Sequence, residues 1–230
     1  MISFSTVVFD VGGTLLQLDY DALATIYIHA AAVHNITLDW NQVRTVLENL
    51  EGEMPQLQQK RAVSLEHDHG IAFWNDFYAE GFRRLGVTHD MSPVVNEIRE
   101  RFQRAEFEKL FEDVVPTLEK FAARGTRLGI LSNFSANLED VLRQVGIHQY
   151  FDFFVVSAIA GVEKPDRRIF DLTVSAANRP RAEIVYIGDS VFHDIEGARN
   201  AGIAAILVDR QNRHPEFNGA RVRDLRELVR

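Results

Sequence analysis

The 230-residue chain contains no cysteine. That excludes disulfides, thiolate metal sites and a cysteine nucleophile, and it fits a reducing compartment. An excess of positive charge is missing too: 25 lysines and arginines stand against 33 aspartates and glutamates, a formal net charge of −8. Such a chain has no general attraction for a phosphate backbone, so no nucleic-acid partner is expected. An anionic substrate has to be held by local charge, from a lysine or a metal ion. No apolar stretch reaches membrane-spanning length, and residues 1–9 lack the basic start and long apolar run of a signal peptide. The expectation is a soluble, cytoplasmic protein without a membrane partner. No internal repeat or low-complexity segment is present.

What remains is ordinary globular composition, 46% hydrophobic and 25% charged, enough for one large domain or a domain with a sizeable insert. Thr6-Val7-Val8-Phe9-Asp10 reads as a buried strand that stops where Gly12 and Gly13 let the backbone turn. Helical spacing dominates from about 19 to 112: Leu23, Ile26, Tyr27 and Ala30 share one face, and Val43, Val46, Leu47 and Leu50 share another. Phe73, Trp74, Phe77, Tyr78, Phe102, Phe107 and Phe111 add aromatic bulk, read as core. With breaks at 52–55, Gly86 and Ser92-Pro93, four or five helices are expected. From Val114 onward the rhythm changes. Apolar runs at 127–131, 153–157, 184–187 and 204–208 alternate with helical patterns at 117–124, 136–145, 167–177 and 194–201. The fold class is therefore α/β: a Rossmann-like, three-layer core with a parallel sheet. That core takes residues 1–16 and 113–230, and an all-helical segment, 17–112, is inserted after the first strand.

Ligands of such sheets gather at the carboxyl ends of the strands. There the sequence places Asp10 with Gly12, Gly13 and Thr14, then Ser132-Asn133, then Gly188-Asp189-Ser190 with Asp194 close behind. Lys164, followed by Pro165, lies in a loop between the third and fourth runs. Singly each has an ordinary reading: Asp10, Ser132 and Asp194 can cap helices, and Lys164 can be a solvated charge. Together they form a chemical kit. Asp10, Asp189 and Asp194 supply the oxygen ligands that Mg²⁺ prefers, and a carboxylate can attack phosphorus. Phosphoryl transfer chiefly requires positioning and charge neutralisation. A metal, Lys164, the Ser132 hydroxyl and the N–H groups of the Gly12-Gly13 turn can provide both.

The ordered motifs FDVGGTL, LSN, KPD and GDSVFHD resemble those of the haloacid dehalogenase superfamily. The flanking GVEKPDRRIF and DIEGARNAG are similar to it as well, so the resemblance spans nearly the whole chain. Within that superfamily the chain resembles the dehalogenase-like hydrolase domain-containing protein 3 group. The resemblance implies a phosphohydrolase whose helical insert is a C1-type cap and whose substrate is a small phosphorylated molecule. Asp10 would be the nucleophile, and Ser132 and Lys164 would assist it. Gly12, Gly13, Thr14, Ser132, Asn133 and Lys164 would bind phosphate. Asp10, the Gly12 carbonyl, Asp189 and Asp194 would hold Mg²⁺.

One position departs from the pattern. Phosphatases of that superfamily usually carry a second aspartate two residues after the nucleophile, as general acid and base, and here Gly12 occupies that position. A positioned acid–base contributes about 10²–10⁴-fold in rate, so slow turnover is expected, best on good leaving groups such as acyl or aryl phosphates. His193, His67 and His69 are conceivable stand-ins, although packed or solvated histidines are the plainer reading. The second reading is a non-catalytic binding or regulatory protein on the same scaffold. A third, metal-independent 2-haloacid dehalogenase, fits poorly because that chemistry does not need the Asp189/Asp194 site. Glu66-His67-Asp68-His69 is read as a solvated turn.

Overall fold

The computed structural model describes residues 4–58, 67–104 and 106–230, with side chains throughout except at 54–58, 67–72 and 103. The chain starts with β1 (Thr6–Phe9), buried at every residue, and turns through Gly12 and Gly13 into β2 (Leu16–Leu18). Among the described residues four helices follow: α1 (Tyr20–Val33), α2 (Trp40–Gln58), α3 (His67–Arg84) and α4 (Ser92–Gln103). β3 (Glu108–Leu110) then pairs with β2 in a two-stranded ribbon. Thereafter strands and helices alternate. The order is α5 (Val114–Ala123), β4 (Arg127–Ser132), α6 (Leu138–Gln144), β5 (Phe153–Val156), α7 (Ser157–Ala160), α8 (Arg167–Ala177) and β6 (Ile184–Gly188). A π-helical turn over Val191–Glu196, α9 (Gly197–Asn200), β7 (Ala204–Val208) and β8 (Arg221–Val222) complete it.

The main sheet has the order β5-β4-β1-β6-β7-β8, and every pair is parallel. Helical crossovers cover both faces of such a sheet, which is why β1 and β6 are buried at every position rather than alternating. On one face Val8, Leu131, Tyr186 and Leu207 pack with Ile169, Phe170 and Ile195. On the other, Phe9 meets Phe121 and Phe151 edge-on, with ring centroids 6.1 and 6.4 Å apart. β1 is central, Val8 lying between Gly129 and Tyr186. Strand order reverses there, with β4 and β5 to one side and β6 and β7 to the other, and a reversal of that kind opens a ligand crevice. This is the expected α/β, Rossmann-like architecture.

Two compact units result: Met1–Gln17 with Leu110–Arg230, and Leu18–Lys109. Leu23, Tyr27, Val43, Leu47, Leu50, Phe77, Phe82 and Phe107 form the core of the second unit. Tyr27 stacks on Phe82 at 4.0 Å and donates its hydroxyl proton to the Tyr78 carbonyl at 2.7 Å. Three details differ from the sequence pattern. α2 continues through Gly52 and Pro55, since the single hydrogen bond lost at a proline does not stop a helix already propagated over several turns. His67 and His69 open α3 rather than forming a turn, while Glu66 lies outside the described residues. The helical spacing ends before 112, because Glu108–Leu110 is drawn out to pair with β2. No helix among the described residues is long and apolar enough to cross a membrane.

Candidate active site

Asp10 follows the last residue of β1, and its N–H donates to the Ile187 carbonyl at 2.8 Å, so the backbone still rides on the sheet. Its carboxylate is almost enclosed, the residue being 5% exposed. Ser132, the last residue of β4, donates from Oγ to Asp10 Oδ1 at 3.2 Å. Lys164 Nζ donates to the same oxygen at 2.6 Å. Lys164 sits in the loop between α7 and α8, and Asn133 grips its backbone from both sides. The Lys164 N–H donates to Asn133 Oδ1 at 2.7 Å, and Asn133 Nδ2 donates to the Lys164 carbonyl at 3.0 Å. A buried ammonium must place all its protons on acceptors. The other two bonds from Nζ reach Asp194 Oδ1 at 2.6 Å and Tyr186 Oη at 2.9 Å.

The π-helical turn sets Asp194: its Oδ2 accepts from the Ser190 N–H at 2.9 Å, and its own N–H donates to the Ser190 carbonyl at 3.0 Å. Single π turns of this kind recur at functional sites. Tyr186 Oη lies 3.0 Å from both the Leu131 carbonyl and Asp194 Oδ1, so it is a node of the site. The motifs do not point to Tyr186. The available signal is a hydroxyl in a fully buried strand, IVYIG, which needs a partner there. Two glycines make room for the acids. A Cβ on Gly188 would collide with the Asp194 carboxylate, and one on Gly13, at φ +73°, with that of Asp189. Carboxylate oxygens of Asp10, Asp189 and Asp194 all lie within 4.8 Å of one another.

Burial raises the Asp10 pKa to about 6; Lys164 opposes the rise and Asp194 adds to it. Burial, then the Asp10 and Asp194 charges, push Asp189 well above the ordinary carboxylate range. Burial works against the Lys164 ammonium, but Asp10 and Asp194 hold its pKa above the usual lysine value. Three carboxylates against one ammonium leave an excess of two negative charges when all are ionised. An all-oxygen donor set with that excess fits a hard divalent cation such as Mg²⁺.

The remaining expected contacts divide. Gly12 is exposed, and a Cβ there would meet nothing within 4 Å. The Gly13 N–H is used on the Leu16 carbonyl at 2.8 Å. Thr14, expected at the phosphate, is instead fully buried with its N–H on the Val11 carbonyl at 3.3 Å; the turn folds it inward. His193 is buried with Nδ1 3.2 Å from Ser190 Oγ, and burial lowers its pKa. The side chains of His67 and His69 lie outside those described.

A family model, haloacid dehalogenase-like hydrolase, matches residues 4–202 of this chain. The chain belongs to the haloacid dehalogenase-like hydrolases. Within them it is similar to haloacid dehalogenase-like hydrolase domain-containing protein 3 of Bos taurus, 30% identical over 204 residues, 86% of this chain and 79% of that protein. Glyceraldehyde 3-phosphate phosphatase of Methanopyrus kandleri is 35% identical over 136 residues, 53% of this hydrolase and 57% of the relative. Among solved structures, the HAD-hydrolase YfnB from Bacillus subtilis, bound to magnesium, matches with a TM-score of 0.73 at 20% identity. That match covers 98% of this hydrolase and 97% of YfnB, and it shows the shared fold.

Proposed function

We propose that this hydrolase removes phosphate from small phosphorylated molecules, as phosphate esters or acyl phosphates, through a phosphoaspartate on Asp10. The observation that carries the reading is the convergence on one buried lysine of Asp10 and Asp194, both 2.6 Å from Lys164 Nζ, with Asp189 alongside. Asp10, Asp189, Asp194 and the Gly12 carbonyl would hold Mg²⁺, which supplies charge neutralisation for the phosphoryl oxygens. Asp10 forms a bond to phosphorus as the leaving oxygen departs with its electron pair. Water then attacks that phosphorus and frees phosphate and the Asp10 carboxylate. Ser132 and Lys164 keep Asp10 oriented and share the phosphoryl charge, Gly12 and Gly13 provide a side-chain-free approach, and Asn133 acts by holding Lys164.

A phosphatase among the relatives and a magnesium-bound structure among the fold neighbours support this reading. We assign residues 1–16 and 113–230 to the catalytic core. Residues 17–112 are the C1-type cap, with substrate selection as its role. A cysteine-free, acidic chain fits a cytoplasmic setting. Gly12 makes turnover slow on poor leaving groups. It also favours the second reading, a binding or regulatory protein, because no side chain at position 12 can donate a proton. The Asp10, Asp189 and Asp194 cluster argues against metal-independent dehalogenation.

The test is turnover of acetyl phosphate and p-nitrophenyl phosphate with and without Mg²⁺, for wild type and Asp10→Asn. Mg²⁺-dependent hydrolysis lost in Asp10→Asn supports the reading. Wild-type turnover no faster than that of Asp10→Asn would leave the binding protein in its place.

A further inference from the structure

The turn after Asp10 has little side-chain support of its own. Gly12 and Gly13 offer none, and the buried Thr14 hydroxyl has no hydrogen-bonding partner among the described residues. Arg210, just beyond β7, reaches the turn. Its Nη2 donates to the Thr14 carbonyl at 2.7 Å, and its Nη1 donates to Asp113 Oδ2 at 2.8 Å. The guanidinium lies over the Phe111 ring, 3.7 Å from the centroid. Asp113 is 2% exposed, and the same oxygen also accepts the Leu225 N–H at 2.6 Å. Next to Arg210, the carboxylate of Asp209 takes the N–H groups of Arg213 and His214 at 2.7 and 3.0 Å and the Arg221 guanidinium at 2.8 Å. The loop that presents Arg210 is thus tied down by buried charge.

We propose that Arg210, oriented by Asp113, is a positioning residue that fixes the Thr14 carbonyl and, through it, the Gly12-Gly13 turn beside Asp10. Arg210 touches no reacting group in this arrangement. Its planar fork spans two acceptors at a set angle, and the Phe111 face restricts rotation. A lysine is a point charge and cannot hold both acceptors in that geometry. A phosphate-binding turn has to stay within about half an ångström of its productive position, and glycines cannot hold it there alone.

The experiment is amide hydrogen exchange on the full chain, comparing wild type with Arg210→Lys, Arg210→Met and Asp113→Asn. Gly13, Thr14, Leu15 and Leu16 donate to Leu16 or Val11 carbonyls at 2.8–3.3 Å, and their exchange reports the turn directly. Exchange at 13–16 should quicken about tenfold or more in all three variants, while β4 and β6 amides keep wild-type rates, as expected of a local opening. Equal acceleration in β4 and β6 would reduce Arg210 to a general structural role. Wild-type rates at 13–16, or an Arg210→Lys protein indistinguishable from wild type, would overturn the proposal. A second arm rests on the phosphatase reading: kcat for p-nitrophenyl phosphate should fall about tenfold in Arg210→Lys, in step with the opening at 13–16. Absent wild-type turnover sinks that reading and leaves the exchange result standing. An unchanged kcat in an active, locally opened variant would remove the link between turn and catalysis.

Discussion

At the scale of single residues, Gly12 and Tyr186 carry the sharpest tests. Space is open around Gly12, and its φ lies outside the left-handed region, so a side chain fits without strain. Gly12→Asp should therefore raise kcat for alkyl phosphates by about 10²-fold, the lower end of a general acid's contribution, with much less effect on acetyl phosphate. Steady-state rates on the two substrate classes decide it, and an equal change on both would mean that no leaving-group protonation is involved. Tyr186→Phe removes one of the three acceptors of the buried Lys164 ammonium. Leaving a buried donor short of a partner costs about 1–3 kcal/mol, and more when the donor is charged. We expect kcat to fall roughly tenfold or more with the circular dichroism spectrum unchanged; wild-type kinetics would show that Lys164 needs only its two carboxylates. The chemistry at these positions was legible to different degrees. Asp10, Ser132, Lys164, Asp189 and Asp194 stand in ordered motifs. Tyr186 belongs to none, and only the register of β6 against β1 brings its hydroxyl to the site.

At the scale of elements, the junction of β6 with the π-helical turn is the most demanding piece. Gly188 ends the strand, and Asp194 folds back against it. Gly188→Ala should displace the Asp194 carboxylate from Lys164, Tyr186 and Ser190, with an overpacking cost of about 1–3 kcal/mol. The expected result is a midpoint lower by several degrees together with loss of most Mg²⁺-dependent turnover. A stable, fully active variant would mean that the turn can relax. The strands themselves were readable, because a buried parallel strand leaves a continuous apolar run, as in TVVF and IVYIG. The π turn was not: 194–201 has helical spacing, and its first turn departs from it because Asp194 is drawn to the Ser190 N–H. β8, two residues long, is below any periodicity and exists only because β7 offers an edge.

For the whole molecule, the acids set the pH response of stability. Glu108, in the second unit, has its carboxyl raised by burial from 4.5 to about 7. Its folded-state pKa lies above the unfolded one, so its neutral form contributes stability that is complete below about pH 4.5 and is lost as pH rises through about 7. Glu108→Gln should melt several degrees higher than wild type at pH 8 and at the same temperature near pH 4, read by thermal unfolding across that range. A rise of equal size at both pH values would assign the effect to packing.

The sequence by itself determined the α/β class and set the candidate acids in ordered motifs. Apolar period and motif order are local properties, written along the chain. Which of those acids share one lysine, and which side chains complete the site, was decided by tertiary structure alone. Lys164 and Asp10 are 154 residues apart, Arg210 and Thr14 are 196 apart, and only the folding of the parallel sheet around β1 brings either pair within hydrogen-bonding distance.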